Sequence, residues 1–412
     1  MLYYISNKSY WKTGLLGFTT FIIVISLIKF PDISFQSSLR GLTIWWEVVF
    51  PALLPFFILS EILMGLGVVH FMSVLLEPLM RPLFNVPGSG AFVMTMGFSS
   101  GYPISSKITT RLREQGLVTR SEGERLVAFT TTSDPLFMFG AIAVGFFYNP
   151  TLGVIIVIAH YLSAIIVGLL MRNHDVRSTN TPKSMKTKDM ILLRALKAMH
   201  QARIKDRRPL GKLLGDAVTS SISTLALIGG FIILMSVLIS ILGALKITNL
   251  FVYIAAFVLS LVGFAPELAT AFISGIFEVT IGSKEASIST EVTFLQKISI
   301  VSVILAWGGL SVHAQIAAIL SATDIRYWPF FVSRIFHALI AGVLTLIIWK
   351  PSNYLLSHHA IPVFSYSQAP IEFKLWNYWV IMATMSLSIL TFMLMISLLI
   401  YARQRFINRR FF

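Results

Sequence analysis

Lys107 closes the stretch "GFSSGYPISSK" (97 to 107), behind two serine pairs, Ser99–Ser100 and Ser105–Ser106, and a Gly-Tyr-Pro break at 101 to 103. An ammonium, four hydroxyls and the free amides of a helix starting near Ile104 make a donor set suited to a carboxylate. Two readings of Lys107 stand side by side. A deep lysine would face an anion, because a charge at membrane depth costs at least about 2.5–3.5 kcal/mol; a shallow one would snorkel to the inner interface. In "TTTSDPLF" (130 to 137), Pro135 lacks an N–H and pushes Asp134 away from helical dihedrals. A helix crossing this point must unwind, exposing the hydroxyls and carbonyls of Thr131, Thr132 and Ser133. Asp134 reads as a proton- or sodium-coupling group or as the partner of Lys107.

The second half of the chain has a similar pair of clusters. "FEVTIGSK" (277 to 284) offers Glu278, Thr280, Ser283 and Lys284, and "WGGLSVHAQ" (307 to 315) offers Ser311, His313 and Gln315. His313, beside a Gly-Gly break, is either a titrating group that responds to a proton gradient or a hydrogen-bonded packing residue. Ser311 and Gln315 are candidate substrate contacts; Glu278 and His313 join Asp134 as coupling candidates.

These clusters sit in an apolar chain. Of 412 residues, 56% are hydrophobic and 12% charged, about half the charged share of soluble domains. Several apolar runs reach the roughly 20 residues a membrane-spanning helix needs, and barrel-type alternation is absent, so the spans are helices. The net charge of +15 would suggest nucleic acid in a soluble protein. In a multi-pass membrane protein the positive-inside rule accounts for it, so the expected surroundings are a lipid bilayer and no nucleic acid. There is no cysteine, His358–His359 has no further ligand at metal spacing, and no phosphate loop or H-E-x-x-H pair occurs. No cofactor, metal site or enzymatic activity is expected.

Charge asymmetry orders the elements. The stretch 172–216 carries twelve Lys/Arg against four Asp/Glu and belongs in the cytoplasm, as does the tail "RQRFINRR". Within it, "DMILLRALKAMHQARIKD" (189 to 206) has the spacing of a basic amphipathic helix on the membrane surface. By parity, 88–110 begins and ends on the cytoplasmic side and is a re-entrant hairpin. Segment 249–275, interrupted at "GFAPELATAFISG", is expected to be its counterpart entered from outside, with 281–292 an outside loop. Trp45 and Trp46 read as an interfacial belt. The expected organisation is a signal-anchor helix (1–40), a first repeat (41–171), the basic loop (172–216), an inverted second repeat (217–349) and a C-terminal helix with basic tail (350–412). Each repeat holds a re-entrant helical hairpin and a broken helix, a transporter pattern with its substrate at the midplane.

The strings "LRGLTIWWEVVFPALLPFFILSEILMGLGVVHF" (39 to 71), "LLEPLMRPLFNVPGSGAF" (75 to 92), "GAIAVGFFYNP" (140 to 150) and "AWGGLSVHAQIAAIL" (306 to 320) resemble the YlbJ-type sporulation integral membrane proteins. That family lies within the nucleoside recognition (Gate) domain group, which is distantly similar to concentrative nucleoside transporters. The resemblance implies a multi-pass protein of the outer forespore membrane, with both termini cytoplasmic, that passes dipicolinic acid out of the mother cell. It also suggests a homo-oligomer. Such a cargo is a small organic anion, on whose pyridine ring Phe98, Tyr102 and Trp307 can stack. A transporter of nucleosides or other small metabolites, and a non-transporting scaffold for spore assembly, are the alternatives.

Overall fold

A computed structural model describes residues 7–176, 181, 190–357 and three isolated positions (388, 391 and 395). The His358–His359 pair, the C-terminal segment expected at 350–412 from residue 358 on apart from those three positions, and most of 177–189 lie outside the described residues. Every regular element among the described residues is helical, and five helices are long and apolar enough to cross a membrane: Pro31–Gly65, Pro150–Met171, Leu210–Ala244, Phe294–Leu320 and Tyr327–Lys350.

α1 (Asn7–Lys29) turns at Phe30 into α2 (Pro31–Thr43), which runs through a π-wound turn (Ile44–Val49) into α3 (Phe50–Gly65). α2 and α3 pack on α10 (Leu210–Ala244). Trp45 is half-buried, lies against Gly229 of α10 and donates from Nε1 to Leu225 O at 2.8 Å. A buried indole N–H needs an acceptor, and the missing Cβ of Gly229 makes room for the ring. Trp46 remains 59% exposed.

α4 (Val68–Leu79) leads through a second π-wound turn into the first hairpin, α5 (Gly90–Ser100) and α6 (Tyr102–Glu114). Gly101 forms its tip at φ +84°, where a side chain would be strained. Next come α7 (Arg120–Thr130), an unwound stretch at 131–134, a π-wound helix (Phe137–Phe146) and α8 (Pro150–Met171). The basic amphipathic segment forms α9 (Ile191–Asp206), which buries Ile191 and Ala195 against Leu75 of α4 and pairs Arg194 with Glu77 at 2.8 Å.

The second hairpin differs from the one expected at 249–275. α11 (Ile247–Leu261) is a separate helix ending before the bend at 262–265. The hairpin is α12 (Ala269–Phe277) and α13 (Val279–Ile288), with Glu278 at its tip. "IGSKEASI" is therefore a helical arm instead of an outside loop. The cause is close packing of small residues: a Cβ on Gly282 would stand 2.3 Å from Gly275 Cα, and one on Gly275 would stand 2.4 Å from Ile304. After it come α14 (Phe294–Trp307), a glycine break, α15 (Gly309–Leu320) and α16 (Tyr327–Ser357). Hairpin plus broken helix thus occurs twice.

At the loop ends, two forked ion pairs join these motifs. Arg113 of α6 donates from Nε and Nη2 to Asp324 at 2.7 and 2.9 Å. Arg326 donates from Nε and Nη2 to the buried Glu124 of α7 at 2.7 and 2.8 Å, and His174 meets the same carboxylate at 2.7 Å. The Arg113 fork holds the Asp324 carboxyl below its usual range. Burial works to raise Glu124, but the bonds from Arg326 and His174 outweigh it and leave this carboxyl low as well.

Two outcomes follow from this packing. Gly282→Ala should cost about 1–3 kcal/mol through overpacking and lower the thermal midpoint of the purified protein. Gly230→Ala, where a Cβ meets nothing within 4 Å, should not; equal midpoints would contradict the tight hairpin. Because both carboxyls are depressed in the folded state, the clasp stabilises above the ordinary carboxylate pKa, about 4. That contribution is lost as pH falls through the depressed values. A melt series from pH 7 to 3 should show this acid loss, and Glu124→Gln should flatten it; an unchanged slope would refute the clasp.

Candidate functional site

The two hairpin tips meet the two helix breaks. Asp134 caps the helix after the first break: its Oδ1 accepts from the Phe137 amide at 2.8 Å, with Pro135 in the first turn, where a missing N–H costs nothing. Glu278 does the same for α13, accepting from the Ile281 amide at 2.8 Å and from Thr280 Oγ1 at 3.2 Å. Both carboxylates are 6% exposed. Each is spent partly on freed helix amides, which need an acceptor when buried.

The first tip is anchored on three sides. Tyr102 donates its hydroxyl to Leu305 O of α14 at 2.7 Å. Tyr161 of α8 stacks on Phe98 at 4.8 Å between centroids, and its hydroxyl reaches Phe98 O at 2.9 Å and Ser133 O at 3.1 Å. Thr132 donates to Gly97 O at 3.3 Å, and a Cβ on Gly97 would stand 2.1 Å from Thr130 O. Gly101 faces Asp134. At the second tip, Trp307 donates from Nε1 to Ile276 O at 3.1 Å, and Gly309 (φ +74°) lies against Phe277 O and Glu278.

Between these anchors lie the hydroxyls singled out in the sequence. Thr131 Oγ1 sits 3.3 Å from Ser105 Oγ and 3.2 Å from Ser106 Oγ, all three fully buried. Ser99 and Ser100 are half-buried. Ser99 lies in "GFSSG", the spacing of a hydrolase nucleophile elbow, but α5 is helical here and Ser99 Oγ donates to Thr95 O at 2.8 Å. Ser311 is buried and Gln315 half-buried, one turn apart on α15. His313 is fully engaged: Nε2 meets Trp307 O at 3.1 Å, Nδ1 meets Tyr327 Oη at 2.6 Å, and its ring lies 4.1 Å from that of Trp307. Lys107 is exposed, one step around α6 from buried Ser106. Two hollows lie away from the breaks, about 470 Å³ beside Gln201, Lys205 and Arg207 and about 250 Å³ beside Asp32, Arg40 and Ser240.

Three residues absent from the sequence-based set complete the centre. Arg334 of α16, 1% exposed, donates from Nη1 to Thr131 O at 2.6 Å and, more weakly, to Ala306 O at 3.5 Å. Its Nη2 donates to Ala128 O. One guanidinium thus binds the carbonyl ends of both α7 and α14, where the helix dipoles are negative. His160 of α8 accepts the Ser133 amide at Nε2, 3.0 Å away, and His337 of α16 donates to His160 O at 2.9 Å. The signal was present in "FFVSRIFHALIAG": charged and titratable residues inside a span mark function by default. Arg334→Met should strand at least two buried carbonyls at about 1–3 kcal/mol each. The thermal midpoint of this variant should fall sharply, and Arg334→Lys, lacking the fork, should not restore it. A wild-type melt for Arg334→Met would contradict the bridging role.

Residues 46–171 match the Gate family, described as nucleoside recognition. The chain is 48% identical over 346 residues to the sporulation integral membrane protein YlbJ of Bacillus subtilis (strain 168), covering 84% of this chain and 85% of that one. Solved structures of CNTnw show a likeness at low identity. An outward-facing state matches at TM-score 0.47 and 13% identity over 85% of this chain and 87% of that one. An inward-facing substrate-bound state matches at 0.43 and 12% over 87% and 89%. The chain is a multi-pass helical membrane protein that belongs to the family of YlbJ sporulation integral membrane proteins.

Proposed function

We propose that this protein is a transporter that moves dipicolinate from the mother-cell cytoplasm across the outer forespore membrane. The observation that carries the transport reading is the double meeting of hairpin tip and broken helix, at Gly101 with Asp134 and at Glu278 with Gly309. Unwound backbone and half-helix ends at membrane depth are tolerated where they line a path or a site. In this reading the two motifs are inverted repeats that rock around a midplane site, and both termini are cytoplasmic. The kinship with YlbJ supports the setting in sporulation.

The hydroxyls of Ser105, Ser106 and Thr131, flanked by Thr132 and Ser133, would bind the carboxylates. Tyr102, Phe98 and Trp307 would flank the ring, and Ser99, Ser100, Ser311 and Gln315 would act along the path. Lys107, exposed beside this cluster, would attract the anion. Asp134 and Glu278 would couple transport to a proton or sodium ion by releasing the helix ends they cap, and His313 by releasing Trp307. A second copy of the chain is a proposed partner. The Gate description favours a nucleoside as the competing cargo.

Purified protein in liposomes should take up dipicolinate and not uridine. Thr131→Val, which keeps the shape and removes the shared hydroxyl, should slow dipicolinate uptake about tenfold, as loss of a buried hydrogen bond to a charged group implies. Uptake of uridine alone would end the dipicolinate reading.

A further inference from the structure

Four buried polar atoms around the first break lack a hydrogen-bond partner among the described residues: Ser133 Oγ, His160 Nδ1, Arg334 Nε and His337 Nδ1. Their residues are 0% to 1% exposed, and they form one cluster. The Ser133 amide bonds His160, the His160 and His337 rings lie 4.7 Å apart, and Arg334 precedes His337 by about one turn of α16. Arg334 in turn holds Thr131 O, two residues before Ser133. The Tyr102 hydroxyl is a neighbour of Ser133 Oγ, but it donates to Leu305 O and the serine–tyrosine approach lacks hydrogen-bond geometry.

The partners that do exist fix the role of each ring nitrogen. A backbone amide can only donate, so His160 Nε2 accepts and its ring proton sits on Nδ1. A carbonyl can only accept, so His337 carries its proton on Nε2 and Nδ1 is left as an acceptor. The cluster therefore offers three uncommitted donors, from Ser133, His160 and Arg334, against two acceptors, the Ser133 oxygen and His337 Nδ1. Charge points the same way. Arg334 has no ion pair among the described residues and is met by carbonyl dipoles and by the face of the Phe330 ring, 5.4 Å from its centroid. The nearby carboxylates Asp134 and Glu278 are turned to the amides of Phe137 and Ile281. A desolvated cation and buried donors without acceptors are both unfavourable, and a carboxylate supplies what each lacks, a negative charge and acceptor oxygens.

We propose that Arg334, His160 and Ser133 form a carboxylate subsite beneath the first helix break, holding one acid group of the cargo while the hairpin tips hold the rest. This rests on the reading of the cargo as an organic anion and moves its charge contact from α6 to α16. His337 Nδ1, an acceptor, takes no part in holding the anion.

Calorimetric titration of the full-length protein with pyridine-2,6-dicarboxylate, its neutral dicarboxamide, benzoate and uridine tests the subsite. The dicarboxylate should bind, and the dicarboxamide should bind at least about tenfold more weakly. Ser133→Ala removes only an uncommitted hydroxyl, and His160→Gln keeps an acceptor for the Ser133 amide; each should weaken dicarboxylate binding about tenfold. Lys107→Gln should weaken it less than Ser133→Ala does, because Lys107 draws the anion in without holding it. A ligand-free melt reports folding, and Ser133→Ala decides alone if His160→Gln does not fold. Unchanged dicarboxylate affinity in Ser133→Ala, or an anion site lost in Lys107→Gln, overturns the subsite and leaves the transport reading standing. Benzoate bound with the same dependence on Ser133 and His160, while the dicarboxylate is ignored, keeps the subsite and removes dipicolinate as cargo. Binding of uridine alone overturns both.

Discussion

A single buried guanidinium sets the geometry of the centre. Arg334 is out of reach of water and has no carboxylate partner among the described residues, so hydrogen bonds to carbonyl oxygens and the face of Phe330 hold its charge. Only helix ends and breaks supply free carbonyls at this depth. α7 and α14 both stop at the guanidinium, and their dipoles bring negative charge to it. The two motifs are thereby joined at their discontinuities. Tyr102 and Trp307 then carry the junction outward, each binding a backbone carbonyl across the breaks.

The acidic residues answer the opposite problem. Where a chain restarts as a helix, its first amides need acceptors, and Asp134 supplies one at the first break and Glu278 one at the second hairpin tip. Each carboxylate is thus part of the frame before it is part of any transport step. A coupling ion that engaged either one would weaken a helix start, which gives binding a direct route to movement of the arms. Charge near the breaks is divided accordingly: acids serve amides, and the arginine serves carbonyls.

Much of the first motif was legible because its punctuation is local. Gly-Tyr-Pro and Asp-Pro act through their own backbone dihedrals and missing donors, and the structure turns and unwinds at both. The second motif was misread for a matching reason. "GFAP" has the look of a tip and "IGSKEASISTEV" the look of a loop, whereas the real hairpin depends on Gly282 meeting Gly275, a contact that composition does not reveal. Arg334 was passed over because its partners are main-chain oxygens, which no side-chain pattern announces. The ion pairs at 113–324 and 124–326 join residues about 200 positions apart and left no local trace.

The junction between the two broken helices is proposed to bind an anion, and a high-resolution experimental map of the protein with pyridine-2,6-dicarboxylate tests that most directly. Ligand density between the first hairpin tip and the Thr131–Asp134 break, with one carboxylate oxygen within hydrogen-bond distance of Arg334 Nε, is the predicted result. Density confined to the basic hollow by Lys205 and Arg207, or to the exposed side of α6 at Lys107, would contradict it.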